Sequence, residues 1–204
     1  MHVSRFRPAL RWLMAFFRRQ RGTLERTYHA FPQASQELTF TCDASPWGIG
    51  AVLYRNGRPV AWYADTISDL DLARFDAALG ESDFLTIWEA LAILVGMRVW
   101  RDPAHTSAAV SVRSDSLGAL LSASKGSSTS PGMAIILREL ALEDAELGAR
   151  IVAATHIPGM SNAAADALSR LWAPEPSPLP EELRGLPRTP VPRRNKHWYL
   201  CQTA

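Results

Sequence analysis

The dipeptide Asn56-Gly57 constrains this chain more than any other feature. It separates GIGAVLYR from RPVAWYA, two runs rich in β-branched and aromatic residues. Asn-Gly supplies the two positive-φ residues of the tight hairpin turn whose twist matches that of antiparallel strands. Just upstream, LTFTCDAS alternates, with Leu38, Phe40 and Cys42 on one face and Thr39, Thr41 and Asp43 on the other. The first three strands therefore form an antiparallel meander, and a meander that buries apolar residues needs helices or a second sheet to cover it.

The rest of the chain supplies helices. Residues 65–80 are acidic and irregular, a loop with one short helix. SDFLTIWEALAILVGMRVW reads as a helix with a wide apolar surface, ended by Asp102-Pro103. AAVSVRSDS is a strand. SLGALLSAS and PGMAIILRELALEDAEL are helices parted by KGSSTS. RIVAATHIPG is the last strand, stopped by Pro158-Gly159, and SNAAADALSRLW is the last helix, with Ser161 or Asn162 as N-cap. The order β-β-β-α-β-α-α-β-α predicts an α/β fold. Its five-stranded mixed sheet has three antiparallel hairpin strands and then parallel ones, flanked by helices.

Charge divides the chain the same way. Residues 1–30 carry seven arginines against the single acid Glu25, residues 31–172 carry ten basic against sixteen acidic groups, and the net charge is +2. Residues 1–36 read as a basic helical lead-in in which Trp12, Leu13, Phe16 and Phe17 form an apolar stripe needing a partner. Residues 37–172 are the α/β unit, and residues 173–204 a Pro-rich, disordered tail. Cys42 and Cys201 form no disulfide framework and point to an intracellular, reducing compartment. The start lacks a signal-peptide cleavage pattern, and no apolar run approaches the roughly 18 residues of a membrane span. An acidic centre between basic arms is a poor phosphate-binding surface unless cations neutralise some of its carboxylates.

Four acids are candidates for that neutralisation. Asp43 closes the first strand, and Asp115 follows the fourth. Glu89 has Leu85, Thr86, Ala92 and Ile93 at helical spacing, so its carboxylate leans toward protein. Buried without a partner, it needs a cation or a proton. Asp166 lies among Ala163, Ala164, Ala165 and Ala167, which leave room for a metal and a substrate. Each has an ordinary alternative: a strand-ending turn for Asp43, an arginine partner for Glu89, a helix N-cap for Asp115, an ion pair with Arg170 for Asp166. If the first strand is central and the fourth lies parallel beside it, Asp43 and Asp115 end at one sheet edge, where binding sites of α/β proteins gather. The Glu89 and Asp166 helices can cover that edge. Hard divalent ions suit such an oxygen set, Mg²⁺ above all. Two of them about 3.5–4 Å apart are the known arrangement for in-line attack of water on a phosphodiester.

The pieces TCDASPWGIGAVL, TIWEALAIL, VRSDS and THIPGMSNAAADALSR together resemble the ribonuclease H domain of retrotransposon reverse transcriptases, over residues 37–172. The resemblance implies two Mg²⁺ ions, which Mn²⁺ can replace, and hydrolysis of the RNA strand of an RNA–DNA hybrid. It implies that Asp43 touches both metals, that Glu89 and Asp115 hold the ion at the leaving group, and that Asp166 holds the ion that activates water. It also implies an upstream polymerase domain as partner. No Tyr-x-Asp-Asp motif occurs in the chain, and the lead-in then corresponds to the connection after a polymerase. Many relatives carry a histidine on a loop before the last helix; here Pro158 leads almost directly into that helix, and His156 reads as structural. Ser45, Trp47, Ser114 and Ser116 flank the acids and are expected to line the RNA strand, with Lys125 as a phosphate contact. Ser45 and Ser116 read equally as turn and cap residues.

Three rival functions fit less well. One is a catalytically inactive module of the same fold acting as a tether. Another is a strand-transfer enzyme of the integrase type, in which the glutamate follows the second acidic strand; here Glu89 precedes it. The third is a nucleic-acid-binding protein that works through the Arg-rich first 30 residues and has an inert central domain.

Overall fold

The computed structural model describes residues 7–18, 38–100, 109–147, 150–195 and 198–199. Its elements in chain order are α1 (Arg7–Phe17), β1 (Leu38–Ala44), β2 (Gly48–Arg55), β3 (Arg58–Thr66), α2 (Asp69–Phe75), α3 (Leu85–Val99), β4 (Ala109–Ser114), α4 (Leu117–Lys125), α5 (Pro131–Leu147), β5 (Arg150–His156) and α6 (Ala163–Ser169). A 3-10 turn, Gly159–Asn162, leads into α6. No helix among the described residues is long and apolar enough to cross a membrane.

The sheet order is β3-β2-β1-β4-β5. β1 pairs antiparallel with β2 and parallel with β4, and β4 pairs parallel with β5. This is the five-stranded mixed sheet expected, with β1 at its centre. The hairpin turn takes the expected form: Asn56 and Gly57 have φ of 50° and 76°. The α2 helix begins with a reciprocal capping box between Ser68 and Asp71, which satisfies two otherwise orphaned backbone donors.

Helices lie on both faces. On one, α3 runs along β1, buried continuously from Trp88 to Met97. It comes close at Gly96, where a Cβ would stand 2.8 Å from the Phe40 ring. Met133, Ile136 and Leu137 of α5 and Ala119 and Leu120 of α4 extend that core. On the other face Leu168 of α6 packs with Val52, Trp62, Ala64 and Leu183. The α3 helix ends at Val99, capped by the Trp100 N–H on Gly96 O; Asp102-Pro103, the expected stop, lies outside the described residues.

One expectation for the arms needs correcting. The tail is not disordered over residues 173–195 and 198–199. Leu183 is buried in the α6-side core. The chain then crosses the β3 edge, where the Trp62 N–H donates to Pro187 O and the Thr189 N–H to Trp62 O, at 3.2 and 2.7 Å. Trp198 and Tyr199 finish in the α3-side core. Prolines suit this strap because an edge strand needs a donor only at alternate residues; Pro187 gives a carbonyl and Thr189 the N–H. Composition announces disorder when apolar residues are few, but here those few find deep sites. Within the lead-in, Arg7–Phe17 is helical, and its Trp12 meets a partner in this chain. The Trp12 indole donates to Arg138 O at 2.9 Å, and Ala15 packs on Leu142 of α5. Leu13 and Phe17 are exposed, and the Phe16 side chain lies outside the described residues.

Candidate active site

The parallel pairing of β1 and β4 builds the site. Its register sets Thr41 opposite Arg113, so two residues further on Asp43 and Asp115 leave the sheet at the same edge. The α3 helix lies across that edge with Glu89 in its second turn. Oxygens of Asp43, Glu89 and Asp115 all lie within 4.8 Å of one another. Asp43 and Glu89 are 4% and 5% exposed, so solvent screens little of their repulsion.

Among the described residues only neutral donors touch them, one of which is the Ala44 backbone N–H on Glu89. The Ser169 hydroxyl donates to Asp43 Oδ2 at 2.7 Å. The Asn162 amide nitrogen reaches Asp43 Oδ1 at 3.2 Å, Asp115 Oδ1 at 3.0 Å and Cys42 O at 3.1 Å. The Ser114 hydroxyl donates to Glu89 Oε2 at 3.3 Å. Among the described residues no basic side chain forms an ion pair with any of the three. Burial, outweighing the Ser169 hydrogen bond, and the neighbouring Asp115 and Asp166 push Asp43 up to about 7. Burial, then Asp43 and Asp115, raise Glu89 as well. Cys42 is buried beside them; burial first, then the three carboxylates, push its thiol up, which makes it a packing residue rather than a thiolate.

This oxygen set fits a hard divalent cation. It is compact, all carboxylate and largely buried, which is what such an ion takes and what the described residues leave unbalanced. The Asn162 carbonyl oxygen is buried with no protein donor, one more oxygen at the same place.

Asp166 stands apart. Its carboxylate accepts from Arg170 Nε at 2.7 Å, with both side chains 43% exposed, and it is not one of the three converging groups. Its electrostatic effect on Asp43 shows that it borders the site. His156 Nε2 lies 3.1 Å from Asp115 O.

The expected substrate contacts divide. Ser45 and Ser114 are fully buried, which corrects the expectation that they line a bound strand. Ser45 instead ties the β1–β2 turn, accepting from the Trp47 and Gly48 N–H groups at 3.2 Å each. Ser114 accepts from the Ser116 N–H and donates to Glu89. Ser116 is the N-cap of α4. Trp47 is half-buried, and Lys125, the last residue of α4, is exposed. Asn162 and Ser169 carried no site role in the sequence. Asn162 does occupy the N-cap position of α6, but its side chain makes no cap bond and serves the acids instead. The signal available was the Asn-x-x-x-Asp spacing of Asn162 and Asp166, one helical turn apart on one face.

No protein-family model matches the sequence, and a comparison with curated proteins finds no match. Solved structures do match. The ribonuclease H1 of the halophilic archaeon Halobacterium salinarum is 21% identical over 65% of this chain and 93% of its own, with a TM-score of 0.49. LC11-RNase H1, solved in complex with an RNA/DNA hybrid, is 19% identical over the same shares, with a TM-score of 0.53. With the sheet order β3-β2-β1-β4-β5 and the helices on both faces, the latter likeness identifies the fold of this chain as ribonuclease H-like.

Proposed function

We propose that this chain is a metal-dependent endonuclease that hydrolyses the RNA strand of RNA–DNA hybrids. The observation that carries the reading is the convergence of Asp43, Glu89 and Asp115 within 4.8 Å with no ion pair to a basic side chain among the described residues. The likeness to LC11-RNase H1, solved with an RNA/DNA hybrid, supports the substrate class. The motifs around Asp43 and Asp166 support the finer reading, a nuclease unit over residues 37–172 belonging to a retroelement reverse transcriptase with a polymerase domain as partner.

Asp43, Glu89 and Asp115 would hold a divalent ion, Mg²⁺ or Mn²⁺, and Asp166 would complete a second position on parting from Arg170. Bound divalent ions supply an activated water and stabilise charge on the attacked phosphate and on the leaving oxygen. The chain's own residues prepare that chemistry. Ser169 and Asn162 fix the two oxygens of Asp43, Asn162 spans Asp43 and Asp115, and Ser114 orients Glu89. Hybrid recognition rests on duplex shape and 2′-hydroxyls rather than on base sequence; Trp47, Ser116 and Lys125 are the expected contacts that keep exposed surface.

Cleavage of an end-labelled hybrid at millimolar Mg²⁺ or Mn²⁺ tests the reading. The wild type cleaves the RNA strand, and Asp115→Asn keeps its fold by circular dichroism while losing metal-dependent cleavage. Full activity in that variant removes the site assignment, and no cleavage by the wild type favours an inert tether.

A further inference from the structure

The last turn of α6 approaches the β1–β2 turn more closely than side chains allow. A Cβ on Gly48 would lie 2.8 Å from Ser169 O, and one on Gly50 would lie 2.4 Å from the Leu168 Cβ and 2.8 Å from Ser169 N. The two glycines therefore admit the helix backbone itself. At that contact the Ser45 hydroxyl donates to Ser169 O at 2.7 Å, and the Ser169 hydroxyl donates to Asp43 Oδ2 at 2.7 Å. Both serines are 0% exposed. Ser169 Oγ also lies 2.9 Å from the backbone oxygen of Asp166, the residue one turn earlier. One hydroxyl proton cannot serve both acceptors, and the charged one makes the stronger bond.

We propose that Ser169 is a positioning residue that locks the Asp43 carboxylate in its metal-facing orientation. The proposal rests on the nuclease reading for its effect on cleavage, but not for its effect on the metal. Asp43 has one further side-chain donor, the Asn162 amide on the opposite oxygen, at the longer distance of 3.2 Å. With Ser169 removed, the Asp43 carboxylate is free to turn, and cation binding then carries the ordering cost that the hydroxyl has already met. Groups that orient metal ligands typically contribute about 10–100-fold in affinity or activity.

The test compares wild type, Ser169→Ala and Ser45→Ala. Removing an oxygen creates no clash, so both variants are able to fold. Mn²⁺ binding is followed by electron paramagnetic resonance of the free ion, without nucleic acid, and hybrid cleavage separately. Ser169→Ala is expected to bind Mn²⁺ about 10-fold or more weakly and to lose kcat while KM for the hybrid holds. Ser45→Ala, which loosens the turn but leaves the Asp43 hydrogen bond, is expected to bind Mn²⁺ within about 2-fold of wild type, well below that range. Unchanged Mn²⁺ binding in Ser169→Ala overturns the proposal, as does a KM effect alone. A wild type that binds Mn²⁺, with Ser169→Ala weaker, but cleaves no hybrid upholds the positioning role and overturns the nuclease reading. A wild type that binds no Mn²⁺ at millimolar concentration overturns both.

Discussion

Buried carboxylates occur in two settings here. Under the strap, Asp71 is wholly buried, but Arg194, equally buried, bonds to it and to Asp65, and the Tyr199 hydroxyl donates to its other oxygen at 2.6 Å. Between α3 and α5, Glu139 and Glu143 are closed by Arg98 at 3.0 and 2.6 Å. At the sheet edge, Asp43, Glu89 and Asp115 have, among the described residues, only hydroxyls, the Asn162 amide and the Ala44 backbone N–H. The desolvation cost is of the same kind in each place, yet the described residues supply the compensating cation at two of them and leave the third open. A buried ion cluster closed by arginine is structural. One left open holds protons or takes a cation from outside.

Removing the internal cation is the severest way to break the contrast. Arg194→Met leaves Asp71 uncompensated and is expected to cost about 3–5 kcal/mol, read as a lower urea midpoint. A loss below about 1 kcal/mol would show that Asp71 simply takes up a proton there, as the site acids can, and that the two settings are alike. The converse experiment supplies the missing cation. Mg²⁺ or Mn²⁺ at about 100 times its Kd is expected to stabilise the wild type by about 2.7 kcal/mol, seen as a rise in Tm. Asp115→Asn should lose that rise. An equal rise in the variant would place the ion elsewhere.

The features legible in the sequence are those set by neighbours in the chain. The Asn56-Gly57 turn, the alternation of β1 and the apolar flanks of Glu89 all lie within a few residues of what they determine. The meeting of Asp43 with Asp115 was legible one step further, because a parallel pair delivers both strand ends to one edge. What the sequence hid is long-range. Ser169 meets Asp43 across 126 positions, and Arg194 meets Asp71 across 123. Nothing local separates Ser169 from any serine late in a helix. Nor does an arginine in a Pro-rich tail announce burial, because its cost is repaid only by acids that another part of the chain supplies. Ser45 shows the same limit from the other side: its place beside Asp43 suggests substrate contact, while its partner Ser169 buries it.

The open cluster also answers to pH. Burial above all, with Asp115 and Asp166, lifts Asp43 from 3.8 to about 7, and Glu89 shifts the same way. From about pH 4 to about pH 7 the folded protein keeps a proton that the unfolded chain has lost. Its metal-free stability must therefore fall as pH rises through that window, by up to about 1.4 kcal/mol per unit for one group. Saturating Mg²⁺ should flatten this slope by displacing the protons. Urea midpoints at pH 5, 6 and 7, with and without the ion, decide the matter, and a metal-free stability that rises with pH would contradict an open cluster.

Asp166 and Arg170 sharpen the comparison at its weakest point, since here a carboxylate beside the site does have an arginine. Arg170 donates through Nε alone, and both side chains are 43% exposed. Solvent already screens the pair, and holding two long side chains together costs entropy, so such i,i+4 pairs contribute about 0.3–0.5 kcal/mol. Arg170→Ala should therefore shift the urea midpoint of the metal-free protein very little. That small shift is what a carboxylate available for exchange requires: an ion offering more than the arginine does can take Asp166 at little cost. A loss near the 3–5 kcal/mol typical of breaking a buried pair would class Asp166 with Asp71, as a structural acid closed by its own chain, and would remove it from the metal site.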